Sequence, residues 1–324
     1  GYAPAENNPE KFHSIGPFDI NTGQMLSEEK STGFFVGKIL EDVGEKNDFY
    51  VITSAMEYGL GFDGFAKKFP ARFFDVGIAE SHSLIFASGI AKTGNSVFVG
   101  IYSTFLQRTY DQIFHDISLQ KASVVILVDR AGIISGDGPT HQGIYDIAFL
   151  RTIPEIVIFS PYSLENLTTI IQSTFDCKKP IVIRYPKELL PEKLEKISQN
   201  SSKIICLALG SLAFTAKQAC VQLNNEGFNI DFLPVSQVKP VDEKIKTLIT
   251  RYEKIVTCEE AIISGGFGTS ILEYCNENNI QCKILKIGIP DTFIETGSRD
   301  QLLQVFGLDV RGMVKKIKRF YKDA

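Results

Sequence analysis

The chain has 324 residues, and its 34 lysines and arginines against 38 aspartates and glutamates give a net charge of −4. That length suits roughly two domains of about 150 residues each, and 44% hydrophobic with 22% charged residues is a globular composition that excludes wholesale disorder. The charge balance argues against nucleic-acid or polybasic membrane binding through bulk charge, and no apolar run reaches the roughly 18 residues a membrane helix needs.

In chain order, residues 1–30 read as a linker, because Pro4, Pro9, Pro17 and several asparagines break any sustained period. The chain opens on Gly1, with no basic-then-apolar leader, which reads as a processed or truncated piece. A first unit covers 31–190. Its strands are Phe49–Thr53, Arg72–Asp75, Ser96–Tyr102, Ser123–Asp129, Ile156–Ser160 and Ile181–Tyr185. Between them fall helices over Glu80–Lys92, Phe105–Lys121 and Leu164–Phe175; in the second of these Leu106, Tyr110, Ile113, Phe114 and Ile117 recur at helical spacing. Continuous apolar strands such as SVVILVD, alternating with helices, predict a parallel α/β sheet buried on both faces.

The polar, proline-containing stretch from Lys187 to Ser202 reads as a second linker. The rhythm then restarts over 203–324. Strands are expected at Lys203–Leu209, Ile230–Val235, Ile255–Cys258 and Cys282–Ile287, with helices at Leu212–Asn225, at Glu243–Arg251 and from Gly268. The fold class is therefore two consecutive α/β domains with mainly parallel sheets. Ligands of such sheets gather at the strand carboxyl ends, here Tyr102, Asp129–Arg130 and Arg184.

Several residues carry possible chemistry beside a plainer reading. Glu80 opens a helix just after a strand; it either complements the helix dipole or is a buried carboxylate that bonds a ligand ring nitrogen. Asp137 and His141 lie in the tight loop SGDGPTHQG at a strand's carboxyl end, a common place for function. His13, His82 and His115 read as structural. Arg130 and Arg184, each following an apolar strand with Tyr102 nearby, suit a grip on a phosphorylated substrate. Gly136-Asp137-Gly138 with Asn166 mimics a magnesium–diphosphate spacing, but Pro139 follows at once and Asn166 falls inside a helix, so no metal ligand is assigned. The turn Gly265-Gly266-Phe267-Gly268 before a helix could cradle an anion, but a lone glycine-rich turn is weak evidence and close packing of helix on strand is the favoured reading. The six cysteines, Cys177, Cys206, Cys220, Cys258, Cys275 and Cys282, form no C-x-x-C pair and read as thiols of a reducing compartment such as the cytoplasm.

The stretches GYAPAENNPEKFHSIGPFD, FFDVGIAESH, IYSTFLQRTYDQIFHD, DRAG, DGPTHQG, LRTIPEIVIFSP and IRYPKE together resemble the 1-deoxy-D-xylulose-5-phosphate synthase family, over essentially the whole chain. GIAESHS and DTFIETGS depart from the family's usual GIAEQHA and DRFIEHG. The resemblance implies a pyrimidine-binding domain followed by a transketolase-type carboxy-terminal domain, with the family's first domain absent. It implies an enzyme that condenses pyruvate with D-glyceraldehyde 3-phosphate with loss of carbon dioxide, using thiamine diphosphate and Mg2+, as a homodimer. Metal and diphosphate would be held by the missing domain, so this chain alone is expected to be inactive. Residue by residue, the resemblance makes Glu80 the partner of the aminopyrimidine and Phe105 its stacking ring. Ile78 would close the apolar pocket and Arg108 would support that end of the ring. Tyr102, Arg130 and Arg184 would hold the acceptor's phosphate, and Asp137 and His141 would face the reacting centre, His141 as proton carrier or orienter. A split transketolase half, a 2-oxo acid dehydrogenase beta subunit and a non-catalytic module with the same fold are the rival readings.

Overall fold

The computed structural model describes residues 1–13, 16–26, 30–198 and 201–322; the remainder, including parts of both expected linkers, lies outside the described residues. Six strands of the first unit are β1 (Phe49–Thr53), β2 (Phe73–Asp75), β3 (Ser96–Tyr102), β4 (Val124–Asp129), β5 (Val157–Phe159) and β6 (Ile181–Arg184). The second unit adds β7 (Ile204–Leu209), β8 (Ile230–Val235), β9 (Gln237–Lys239), β10 (Lys254–Ile262) and β11 (Lys283–Ile289). The longer helices are α1 (Thr32–Gly44), α2 (Glu80–Lys92), α3 (Leu164–Ser173), α4 (Ala213–Asn225), α5 (Phe267–Glu277), α6 (Arg299–Phe306) and α7 (Val310–Lys322).

The first sheet runs β2-β1-β3-β4-β6-β5-β9 and the second β11-β10-β7-β8. All pairs are parallel except β5 with β9. Every residue of β4 is buried, as a strand covered by helices on both faces requires. The registers bring the carboxyl ends to one edge: Thr53 lies opposite Gly100, Tyr102 opposite Asp129, and Val128 opposite Arg184.

The two units share a core. In β7, Ile205, Leu207 and Leu209 join one apolar cluster with Val97, Val99 and Ile126 of the first sheet, while Ile204, Cys206 and Ala208 face a second cluster with α4 and α7. Each fully buried aliphatic side chain contributes about 1.5–3 kcal/mol, so the junction is part of the fold's own stability. β9 carries this further. It belongs to the second unit in sequence, yet it pairs with β5 through Ile158–Lys239 and Phe159–Gln237. The Lys239 ammonium caps the carbonyls of Arg151 and Ile153 across the same seam.

Local differences from the sequence reading have physical causes. The expected amino-terminal linker contains two short helices, Ala3–Asn7 and Pro9–Phe12, where proline is tolerated because the first helical amides need no acceptor. Tyr2, Phe12 and Phe18 cluster there with ring centroids 5.3–5.7 Å apart. The single helix expected over Phe105–Lys121 is a succession of turns: Ser103–Leu106, a 3-10 turn at Gln107–Thr109, Tyr110–Gln112 and a π segment at Ile113–Ser118. The bonds Leu119 N–H to Phe114 O and Ala122 N–H to Ile117 O mark the wider winding. In α1 a Cβ at Gly37 would run into the Gly61 carbonyl, so glycine lets this helix lie against the loop after β1. The glycine-rich turn before α5 is filled from within. The buried Glu259 carboxylate accepts Phe267 N–H at 2.6 Å and Gly268 N–H at 2.8 Å, taking the place an external anion would occupy.

Candidate active site

α2 begins at Glu80, whose carboxylate is 7% exposed and receives Arg108 Nη1 at 2.8 Å. The partner comes from the turn after β3, so two strand ends meet at this pair. The Arg108 guanidinium lies 5.1 Å from the Phe105 ring centroid. Phe105 stacks on Tyr102 at 5.7 Å with an interplanar angle of 17° and meets the edge of His141 at 5.9 Å. A carboxylate, a half-buried aromatic face and an imidazole thus share one wall.

The loop bearing Asp137 and His141 is held by bonds the sequence reading missed. Gln142 is 3% exposed; its Nε2 donates to Ile134 O (3.0 Å) and Gly138 O (3.1 Å), and its Oε1 accepts Ile134 N–H (2.9 Å). Thr104 Oγ1 donates to Thr140 O at 2.7 Å. From the second unit, buried Glu260 accepts Ile133 N–H at 2.8 Å, and Gly297 O accepts Gly136 N–H at 3.2 Å. His141 Nδ1 is 2.9 Å from Thr140 Oγ1, which orients the ring toward Phe105. Asp137 is exposed at the loop tip. An amide beside a histidine was the available signal for Gln142; nothing local marked Glu260, more than a hundred residues away.

The anion-binding residues divide. Arg130 takes a left-handed backbone conformation (φ 57°) and lays its guanidinium 4.0 Å from the Tyr102 ring centroid. Tyr102 is 4% exposed, and burial pushes its phenol well above the usual range. Arg184 is a correction. It is 3% exposed and its donors are engaged: Nε with Asp146 Oδ2 at 2.7 Å, Nη2 with Gly143 O and Glu260 O, and Nη1 with Ser160 Oγ at 3.4 Å. It braces the junction of the two units rather than presenting a grip to substrate. The exposed cation beyond β6 is Lys187, which faces Asp129. Ile78 faces away from this chain's own core. The turn closed by Ala79 N–H to Gly77 O, with Gly77 at φ 72°, throws Ile78 outward to 83% exposure, so it closes no pocket within this chain.

Asn166 lies in the first turn of α3, where its Oδ1 accepts Tyr162 N–H, and its own N–H is capped by Ser163 Oγ. Among the described residues no group of three or more His, Cys, Asp or Glu is placed to hold a metal, and no helix is long and apolar enough to cross a membrane. His115 pairs with Asp111 at 2.8 Å and His82 stacks on Phe86.

A two-unit α/β chain with a helix-opening carboxylate and an aromatic face at its strand ends has the architecture of the transketolases, and the family models agree. Residues 28–193 match the transketolase pyrimidine-binding domain and residues 193–313 the transketolase carboxy-terminal domain; the chain belongs to this family. It is 40% identical, over its whole length, to the 1-deoxy-D-xylulose-5-phosphate synthases of Caldanaerobacter subterraneus subsp. tengcongensis and of Dictyoglomus thermophilum. The chain spans about half the length of the curated relatives it matches, 54% in both of these cases. Among solved structures it is similar to a split-gene transketolase described as an inactive beta4 tetramer (TM-score 0.80, 26% identity, 89% of this chain and 97% of that one). A Campylobacter jejuni transketolase shares the fold (TM-score 0.76, 17% identity, 98% of this chain and 50% of that one).

Proposed function

We propose that this chain forms the pyrimidine-side wall of a thiamine-diphosphate-dependent 1-deoxy-D-xylulose-5-phosphate synthase, which joins pyruvate to D-glyceraldehyde 3-phosphate and releases carbon dioxide. The observation that carries the reading is the Glu80–Arg108–Phe105–His141 wall. The buried carboxylate and the adjoining half-buried ring fit an aminopyrimidine: one is a hydrogen-bond partner for a ring nitrogen, the other an apolar face. Five of the buried polar atoms that lack a hydrogen-bond partner, Thr53 Oγ1, Ser54 Oγ, Ser103 Oγ, Arg130 Nε and Tyr185 Oη, lie on or just past the carboxyl ends of β1, β3, β4 and β6. Unsatisfied groups gathered at one edge are what a polar ligand would complete.

When bound, the cofactor supplies the nucleophilic carbon and electron sink that decarboxylation of pyruvate requires. The chain's own part is proton control and placement. Glu80 shares a proton with the ring nitrogen, and Arg108, bonded to Oε1, fixes the carboxylate's orientation. Phe105 positions the ring. His141, held by Thr140 and the Gln142-pinned loop, carries a proton at the reacting carbon, with Asp137 beside it on the loop. Tyr102 and Arg130, aided by Lys187, hold the acceptor's phosphate. The diphosphate and its Mg2+ belong to a companion domain, so the chain alone has no synthase activity and at best weak affinity for the cofactor.

The test is to assay the chain with thiamine diphosphate, Mg2+, pyruvate and glyceraldehyde 3-phosphate, alone and with the amino-terminal half of a relative. The reading expects carbon dioxide release only in the pair, abolished by Glu80→Gln; turnover indifferent to that substitution would refute it. Calorimetry on the chain alone would show tight, Mg2+-dependent cofactor binding only if Gly136-Asp137-Gly138 and Asn166 hold the metal after all.

A further inference from the structure

At the carboxyl end of β4 lies a buried carboxylate with no part in the reaction described above. Asp129 is 3% exposed, stands opposite Tyr102 in register, and accepts Arg130 N–H on Oδ1 at 2.6 Å. That bond holds Arg130 in its left-handed conformation, from which the guanidinium reaches over Tyr102. The charged groups that face Asp129 are Arg130 from its own strand end and Lys187 and Glu188 from the segment after β6; the phenols of Tyr102 and Tyr185 face it from β3 and the end of β6. From α1 the Gly33 backbone approaches so closely that a Cβ there would sit 3.1 Å from Asp129 Oδ2. Two buried donors in this group, Arg130 Nε and Tyr185 Oη, have no partner. The carboxylate is therefore buried at the same strand end as the cation assigned to the acceptor's phosphate, bonded to that residue's backbone N–H and facing its charge.

We propose that Asp129 is the proton-taking counter-charge of this anion site: ionised beside Arg130 when no anion is bound, and protonated when a phosphate-bearing substrate lies on Arg130. The inference rests on the reading of Arg130 and Tyr102 as the phosphate grip. A dianion brought within several ångströms of a buried carboxylate shifts its ionisation by a unit or more, because the interior screens charge poorly. Burial already pushes Asp129 up to about 7, so the exchange falls near neutral pH. The sign follows from linkage. Binding takes up a proton, so anion affinity is flat below about pH 7 and falls as pH rises above it, by at most about tenfold per unit.

The experiment is isothermal titration of sulfate, a tetrahedral dianion whose charge is constant from pH 6 to 8.5, into the chain in two buffers of unlike ionisation enthalpy. At pH 7 the buffer dependence should report uptake of about half a proton per sulfate, since the group is about half ionised there. Asp129→Asn should abolish the uptake, flatten the pH profile and keep the affinity wild type shows at pH 6. Arg130-dependent binding with buffer-independent heat and a flat profile would overturn the proposal while leaving the anion site standing; so would proton uptake that survives Asp129→Asn. Absence of binding, or binding unaffected by Arg130→Met, would remove the anion-site reading and this proposal with it. Should Asp129→Asn fail to fold, the carbon-13 carboxyl titration of wild-type Asp129 decides: an upward move of its midpoint on adding sulfate supports the exchange, and an unmoved midpoint refutes it.

Discussion

Arg184→Met tests the brace at the junction. Asp146, 1% exposed, opens the helical turn Asp146–Leu150; its Oδ1 takes Ile147 N–H at 3.0 Å and its Oδ2 takes Arg184 Nε at 2.7 Å. Methionine keeps an apolar stem but leaves that buried carboxylate without its cation, which costs about 3–5 kcal/mol for a buried pair. Within that loss, the Gly143 and Glu260 carbonyls forfeit donors worth about 1 kcal/mol each. Guanidinium unfolding at pH 7 reads the change as a lower midpoint at unchanged slope. The chain has no tryptophan, so far-ultraviolet dichroism and tyrosine emission are the probes. Adding Asp146→Asn to Arg184→Met removes the stranded charge and should recover more than half of the loss, a coupling that a simple cavity would not show. A loss below about 1 kcal/mol accompanied by weakened sulfate binding would refute the brace and return Arg184 to the substrate.

Three further outcomes follow from the geometry. Glu80→Gln should leave the fold intact but slow proton–deuterium exchange at the cofactor's thiazolium carbon in the complete enzyme, because an amide cannot share the ring proton; an unchanged exchange rate would count against it. Gln142→Leu strands Ile134 N–H, Ile134 O and Gly138 O, each costing about 1–3 kcal/mol if left unmade, and should raise proteolytic cleavage within 131–143; equal resistance to protease would contradict the pinning. Burial lifts Glu259 from the usual carboxylate range to about 7 despite its two amide bonds, so the folded state holds a proton there that the unfolded chain has released. Its contribution to stability is therefore greatest at low pH and declines as pH rises from about 4.5 to about 7, by up to about 1.4 kcal/mol per unit, then levels. Urea unfolding at pH 5, 6, 7 and 8, compared with Glu259→Gln, checks the sign.

Much of the α/β rhythm was legible because the strands are short, wholly apolar and punctuated. β4 and β6 read directly from VVILVD and IVIR. Where the reading fell short, the deciding partner was remote. Arg184 follows an apolar run, as a ligand-binding arginine would, and only the fold reveals Asp146 waiting 38 residues upstream. β9 is three residues long and is a strand because β5 offers it an edge. The 103–118 segment has the apolar spacing of one helix, and that spacing cannot register the change from 3-10 to π winding. For the site, Glu80, Phe105 and His141 were named through the resemblance, and Gln142 had its neighbouring histidine as the one signal, whereas Glu260, which anchors the loop from the second unit, carries no local signature.

The β9 pairing bears on how such a chain can be taken apart. The boundary between the two family models falls at residue 193, yet cutting there would strip β5 of its outer neighbour β9 and uncover the apolar face that Ile205, Leu207 and Leu209 close. It would also release the active-site loop from Glu260 and Gly297. A chimera that borrows its second half from another family member must import a matching 237–239 segment and both loop anchors. The natural crossover points for recombination therefore lie outside this pair of units, not between them.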